Sequence, residues 1–111
     1  APVTMIGMGL VASAAVLVLL AVPSERRIAL PNSTYPIHQP MSGVRGGAPA
    51  IEIHAQYLGR LRSKLGSLIA SETGKSVEEV ASDTDRDHWL TSEEALSYGL
   101  VSRIVAERSA L

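Results

Sequence analysis

The chain has 111 residues, of which 46% are hydrophobic and 19% charged, and this composition is that of one globular domain or part of one. Its 10 basic and 11 acidic residues are well mixed, which disfavours binding to nucleic acid or anionic lipid. The absence of cysteine excludes disulfides and thiolate metal sites and leaves the redox compartment open. Because the first residue is Ala1 and no leader precedes the first apolar run, we expect a portion of a longer protein.

An uncharged stretch over residues 5–22 needs an interpretation first, because its 18 residues reach the lower length limit of a membrane-spanning helix. Gly7, Gly9 and several alanines lower its hydropathy, and Gly9 divides it into a strand and a following helix. No Lys or Arg precedes it, which disfavours a signal peptide. We therefore predict a buried strand, turn and helix; a small membrane or scaffold protein anchored by this stretch is the less favoured alternative.

Three strands and a helix are predicted before residue 40. The strands cover residues 3–8, 27–30 and 35–38, and the helix covers 13–21 and ends before Pro23, which cannot continue it. Residues 31–33 have the composition of a turn. Pro36 removes a backbone donor from the third strand, so this strand is expected to be an edge strand or to be irregular there.

The longest helix is predicted between Pro49, which fits a first helical turn, and Gly74, which fits the position just past a helix end. Residues 41–47, which precede it, include three glycines and are expected to be extended beside another backbone. Gly59 and Gly66 each cost about 1 kcal/mol against alanine inside a helix, so they are expected at points of close packing. The helix also carries an apolar stripe that needs a partner surface: Ile51, Leu58, Leu61, Leu65 and Leu68.

Two short helices follow, each with a hydroxyl residue three positions before a glutamate. These capping-box patterns are Ser76 with Glu79, and Thr91 with Glu94. The second helix is predicted to end at Gly99, and residues 100–105 alternate like a final strand. Because strands and helices interleave, the predicted fold class is α/β.

Three residues are candidates for a serine hydrolase site, which needs a hydroxyl, an imidazole that takes its proton and a carboxylate that orients the imidazole. Ser13 lies where a strand passes into a helix among small residues, which exposes its hydroxyl near helix amides. His38 ends a strand, and Asp87 lies in a polar loop between two capped helices. Taken alone, each is more often structural: a helix N-cap, an ordinary histidine, a solvated carboxylate.

The sequence around these residues resembles the ClpP family of serine peptidases in order and in spacing across essentially the whole chain. The similar segments are GLVAS at 9–13, ALPNS at 29–33, IHQP at 37–40, IEIH at 51–54, DRD at 85–87, WLTSEEA at 89–95 and YGL at 98–100. This resemblance implies a ClpP/crotonase-like α/β fold, of which the chain would be the C-terminal portion with the long handle helix.

The resemblance also implies a role for each candidate. Ser13 would be the nucleophile, His38 the general base and Asp87 the residue that orients the histidine, and the amide of Ala14 would be one oxyanion donor. A segment with the family's substrate-pairing role would begin at Met41, Ser42 and Gly43. Asp85 and Arg86 would lie at the contact between two rings.

The implied protein is the proteolytic subunit of an ATP-dependent Clp protease. Its expected partners are identical or paralogous subunits in two stacked heptameric rings, an AAA+ unfoldase of the Clp type and the unfolded proteins that it delivers. No cofactor, metal, nucleic acid or membrane is implied, and the expected location is the cytoplasm or an organelle matrix or stroma.

Three departures from the family pattern bear on activity. The chain lacks the family's N-terminal portion, which supplies a second oxyanion donor, so we expect little activity from these 111 residues alone. Ala15 stands where the family usually has glycine, and Pro36 is unusual two residues before the histidine. A catalytically inactive, structural subunit of a mixed ring is therefore the alternative to an active peptidase.

Overall fold

The computed structural model describes residues 1–12, 14–38, 43–85 and 88–111, and it has the α/β architecture that the sequence predicts. Strands β1 (Met5–Gly7), β2 (Arg27–Ala29) and β5 (Arg103–Ile104) form a parallel sheet in the order β1-β2-β5. Strands β3 (Thr34–Ile37) and β4 (His88–Thr91) form an antiparallel pair. The α-helices are α1 (Ala14–Leu19), α2 (Ala48–Thr73), α3 (Val77–Thr84) and α4 (Ser92–Tyr98).

The hydrophobic core lies between the two sheets and the helices that follow their strands. All three residues of β2 are buried, because β2 is the central strand of the parallel sheet. The buried cluster also includes side chains from both sheets, from the helices and from the segment after α4, among them Val16, Leu19, Tyr35, Val80, Leu90 and Leu100.

The stretch that raised the question of a membrane anchor forms β1 and α1 instead of one long helix. Within the described parts of the chain, no helix is both long and apolar enough to cross a bilayer. β1 is shorter than the predicted 3–8, and it is not a fully buried strand, since Ile6 is 38% and Met8 is 64% exposed. Their exposure follows from the position of β1 at the edge of its sheet.

The predicted edge position of the third strand is confirmed. Among the described residues, β3 pairs along its length with β4, and otherwise only Thr34 at its start forms an isolated bridge, to Leu10. Pro36 lies opposite Trp89 in the pair with β4. An antiparallel pair alternates between positions that do and do not exchange hydrogen bonds, so a proline fits without breaking the ladder. The strand is therefore regular through Pro36.

The helix ends follow the sequence, with one exception. Thr91 forms the complete capping box of α4, in which its hydroxyl accepts from the Glu94 N–H and its own N–H donates to the Glu94 carboxylate, both at 3.1 Å. Ser76 forms only half of the box that its sequence predicts. Its hydroxyl accepts from the Glu79 N–H at 3.1 Å, but the Glu79 carboxylate accepts instead from Lys75 Nζ at 2.9 Å. The lysine, one residue before the cap, competes for the carboxylate.

Helix α2 has 26 residues, so it is about 39 Å long. Only Ile69 and Ala70 near its C-terminal end are buried, and the molecule measures 57 × 30 × 25 Å as a result of this projection. The prediction that Gly59 and Gly66 mark close packing is wrong within the chain. A Cβ built at either glycine has no described atom of another element within 4 Å.

A buried arginine connects the sheet to the helices. Arg27 is 0% exposed; its Nε donates to the Val22 carbonyl at 2.9 Å, and its Nη2 forms an ion pair with Glu72 at the end of α2. Its Nη1 lies 3.5 Å from the carbonyl of Gly99, just after α4. One side chain thus holds the ends of three segments together.

Candidate catalytic site

The structure describes some of the predicted site residues and not others. His38 is half-buried and directly follows β3, and Ala14 is the exposed first residue of α1. Gly43 is exposed at the start of an irregular segment before α2, and Asp85 caps the C-terminal end of α3. Ser13, Met41, Ser42, Arg86 and Asp87 lie outside the described residues. The distances within the triad therefore stay a prediction, and the site is described by the segments that flank it.

The first of these flanking features is the antiparallel pair of β3 and β4. In the antiparallel register, Ile37 pairs with His88 at one end and Thr34 pairs with Thr91 at the other. Ile37 immediately precedes His38 in the sequence, and His88 immediately follows Asp87. The pairing therefore places the residue before the candidate base opposite the residue after the candidate carboxylate.

The second segment follows β1 and leads to Ser13. The Thr34 N–H donates to the Gly9 carbonyl at 2.7 Å, and the Val11 N–H donates to the Thr34 carbonyl at 2.9 Å. Leu10 and Thr34 form a parallel bridge, so this segment runs beside β3 in the same direction. The segment after β1 therefore contacts the strand that leads to His38, and this contact reaches Val11, two residues before Ser13.

A buried hydroxyl network supports both segments. Tyr35 is 0% and Ser33 is 1% exposed, and their hydroxyl oxygens are 2.9 Å apart. Ser33 Oγ donates to the Leu30 carbonyl at 2.6 Å, and the Leu30 N–H donates to the Gly7 carbonyl at 3.0 Å. Burial raises the pKa of Tyr35, and the hydrogen bond with Ser33 partly offsets that rise. Sequence reasoning assigned Tyr35 only to a strand; its position three residues before His38 was the available signal.

Ala14, whose amide the resemblance implies as one oxyanion donor, is the first residue of α1. The Ala15 N–H donates to the Ala12 carbonyl at 3.0 Å. The amide of the first residue of a helix has no acceptor within that helix. The Ala14 N–H is thus a backbone donor next in sequence to the candidate nucleophile, as an oxyanion contact requires.

Asp85 contacts a residue of its own chain. Its Oδ1 lies 3.4 Å from Nη2 of Arg62 on α2, and both side chains are exposed, by 62% and 45%. An exposed ion pair of this length contributes little to stability. Asp85 therefore remains accessible to a partner.

A second polar cluster, which sequence reasoning did not single out, lies at the far end of α4. The Tyr98 hydroxyl donates to Asp83 Oδ2 at 2.8 Å, and Lys75 Nζ lies 4.5 Å from the centre of the tyrosine ring. Burial, then the hydrogen bond and charge of Asp83 and the charge of Glu79, raise the pKa of Tyr98 well above its ordinary value. Across the part of the chain that is described, no group of three His, Cys, Asp or Glu side chains could hold a metal ion.

Comparison with known proteins adds the relatives of this chain. The family model described as Clp protease matches residues 1–108. The chain is 59% identical over 99% of its length to the "ATP-dependent Clp protease proteolytic subunit 2" of Treponema pallidum, and 50% identical over 95% of its length to the subunit of the same name from Gluconobacter oxydans. It covers 55% and 47% of those two proteins, so it spans about half the length of the curated relatives that it matches.

The fold comparison agrees with the family match. The solved structure of the ClpP1 N165D mutant from Listeria monocytogenes superposes with a TM-score of 0.87 at 42% sequence identity, over 97% of this chain and 60% of that one. The architecture is therefore that of a ClpP structure, including the long helix α2. The chain belongs to the Clp protease family.

Proposed function

We propose that the chain is the C-terminal portion of a single ClpP-like protease domain, in the proteolytic subunit of an ATP-dependent Clp protease that hydrolyses peptide bonds of unfolded proteins. The observation that carries this proposal is the pairing of β3 with two other segments. One of them precedes Ser13, the other follows Asp87, and β3 itself leads to His38. Three segments from distant parts of the sequence thus lie side by side, and each is next in the chain to one of the three residues that the proposal assigns to a serine peptidase triad.

The proposed chemistry assigns one step to each residue. The Ser13 Oγ attacks the carbonyl carbon of the scissile peptide bond while His38 takes the hydroxyl proton. His38 then gives that proton to the leaving amine as the carbon–nitrogen bond breaks, which leaves an acyl-enzyme. Water, deprotonated by His38, hydrolyses the ester and regenerates the Ser13 hydroxyl. Asp87 holds the imidazole in the tautomer that accepts the proton and stabilises the imidazolium.

Two further groups would act on the substrate backbone. The Ala14 N–H would donate to the oxyanion, and loss of one such donor costs about 10² to 10³ in turnover. The segment beginning at Met41, Ser42 and Gly43 would add the substrate to the protein as a strand. The exposed backbone of residues 43–45, which form no regular structure in the chain, is consistent with that role.

The proposed subunit assembles with copies or paralogues of itself in two stacked heptameric rings and receives unfolded proteins from an AAA+ unfoldase of the Clp type. Helix α2 supports assembly, because its first half exposes large apolar side chains that a monomer would leave in water. Ile51 is 46%, Ile53 is 67% and Tyr57 is 53% exposed. Asp85 and Arg86 would contribute to the ring contact, and the proposed location is the cytoplasm or an organelle matrix or stroma.

Peptide hydrolysis by the assembled particle, with the cognate ATPase present, tests this function. Ser13→Ala and His38→Gln are expected to lower the turnover number by at least about 10⁴-fold, since both remove the acid–base pathway. Ser24→Ala is the matched control, because Ser24 is exposed on the turn after α1, and its activity should be unchanged. Full activity of the Ser13→Ala particle would contradict the proposal and favour a structural subunit of a mixed ring.

A further inference from the structure

Gly7 and Tyr35 contact each other where the parallel sheet meets β3. A Cβ atom built on Gly7 lies 2.2 Å from the Tyr35 Oη, 2.8 Å from its Cε1 and 2.9 Å from its Cζ. Contacts of a real Cβ are essentially never shorter than 3.0 Å, so a methyl group here would displace the ring or the strand by about 1 Å. The phenol edge therefore occupies the space that any other residue at position 7 would fill.

Gly7 is required at this point for space and not for backbone conformation. The positive φ angles of glycine in this chain occur at other positions, including Gly9. Gly7 instead pairs with Ala29 in the regular parallel register of β1 and β2. A larger residue would fit the backbone of Gly7, but the three atoms nearest to its Cβ would all belong to Tyr35.

The Tyr35 ring has little freedom to move away. The residue is 0% exposed, its hydroxyl is within hydrogen-bond distance of Ser33, and Ser33 is held by the Leu30 carbonyl. Leu30 in turn donates to the carbonyl of Gly7 itself. Protein interiors are packed densely enough that a displaced ring transmits its shift to the backbone. A change at position 7 is thus expected to move β1 relative to β3.

Both strands lead directly into the proposed site. Ser13 is the sixth residue after Gly7, and His38 is the third residue after Tyr35. Between them, the Gly9 and Val11 backbones are hydrogen-bonded to Thr34, the neighbour of Tyr35. We propose that Gly7 and Tyr35 are a size-matched pair that sets the distance between the segment carrying Ser13 and the strand carrying His38. This inference rests on the proposed function and makes Tyr35 a positioning residue.

The rate at which a fluorophosphonate labels Ser13 in the assembled, complete subunit tests the pair. Gly7→Ala is expected to slow labelling by about 10- to 100-fold, because a shift of about 1 Å can cost that much in an oriented reaction. Tyr35→Val alone is also expected to slow it, because a cavity forms over Gly7. The double variant is expected to label faster than either single variant, since valine leaves room for the alanine methyl.

A control variant and a second measurement distinguish a positioning role of Gly7 and Tyr35 from a merely structural one. Val80→Ala removes two methyl groups from a 0% exposed side chain on α3, outside the two segments. It is expected to lower stability without changing the labelling rate per assembled subunit. For Gly7→Ala, peptide hydrolysis should show a lower kcat with an unchanged KM, because the reacting groups are misplaced while the substrate surface is intact.

The outcomes distinguish this inference from the proposed function. If Ser13 of the unmodified subunit is not labelled, the proposed function fails. If it is labelled and Gly7→Ala labels equally fast, the size-matched pair is refuted while the function stands. If Gly7→Ala does not assemble, the double variant decides: recovered assembly and labelling support the pair, and failure of both overturns it.

Discussion

At the scale of single residues, Arg27 is a buried charged side chain with three polar partners. It joins Val22, Glu72 and Gly99, and its guanidinium is fully buried while the Glu72 side chain is 35% exposed. Removing one partner of a buried ion pair leaves the other partner and the carbonyls without a donor. Removing one partner of the pair is therefore expected to cost more stability than the intact pair contributes in net terms.

Arg27→Ala is expected to lower the free energy of unfolding by about 3 kcal/mol, the lower end of the range for a broken buried pair, because Glu72 is partly hydrated. Urea denaturation of the subunit measures this loss. Arg103→Ala is the control: Arg103 is an exposed strand residue that donates to the Ala110 carbonyl at 3.0 Å. Equal effects of the two substitutions would contradict the assigned role of Arg27.

Tyr98 is expected to make the free energy of unfolding fall at alkaline pH. Its folded-state pKa is raised above the unfolded value of 10.0, chiefly by burial and then by Asp83 and Glu79, so folding favours the protonated phenol. That stability is complete below about pH 10 and is lost as the pH rises toward the folded-state pKa. Tyr98→Phe is expected to make the decline in unfolding free energy above pH 10 less steep. An equally steep decline in this variant would contradict the role assigned to Tyr98.

The residue-scale contacts show where sequence reasoning stops. The segments around Ser13, His38 and Asp87 predicted the family, which the comparisons confirm, because each segment has a characteristic order and spacing. Neither the buried ion pair of Arg27 nor the contact between Gly7 and Tyr35 follows from spacing. Arg27 and Glu72 are 45 residues apart in sequence, and only tertiary packing brings them together.

At the scale of elements, local signals predicted the helix ends well, since caps depend on residues three or four positions apart. The strands were harder. The prediction for residues 100–105 extended beyond β5, which covers only Arg103–Ile104. The Ser102 and Val105 N–H groups, on either side of β5, donate to carbonyls of β2, and Leu100 and Val101 are buried before β5 begins. The alternating apolar residues at 100–105 indicated burial, but they could not indicate which residues pair with β2.

The two caps should differ in their contribution to stability. Thr91→Ala is expected to lower the free energy of unfolding by about 1 to 2 kcal/mol, because it removes a complete capping box. Ser76→Ala removes a single bond and is expected to cost about 0.5 to 1 kcal/mol. Denaturation curves of the two variants give the order directly. A larger loss at Ser76 than at Thr91 would contradict the expected order.

Helix α2 offers a test of whether its glycine-bearing face is covered in the assembly. In the chain by itself, Gly59→Ala and Gly66→Ala should each raise helix stability by about 0.5 to 1 kcal/mol, since the added methyl meets no described neighbour. Size-exclusion chromatography and denaturation together measure the effect. A loss of assembled particles in either variant would show that another subunit packs closely against this face.

At the scale of the whole molecule, the 111 residues form an elongated α/β unit with a projecting helix and an exposed strand edge at β1. The family and the fold could be predicted from the sequence because the matching segments span the chain. The exposed faces of α2 and β1 could not be assigned to partners from the sequence, since an apolar stripe indicates burial without indicating what covers it. The proposed subunit places further protein against both.

Mapping the fluorophosphonate adduct by mass spectrometry on the complete, assembled subunit tests the central claim most directly. One adduct is expected, on the peptide that contains Ser13, and labelling should be strongly reduced in His38→Gln and in Asp87→Asn. The reduction follows because each substitution removes a group that activates the hydroxyl. No adduct at Ser13 in the assembled particle, or an adduct that forms equally well without His38, would refute the proposed triad.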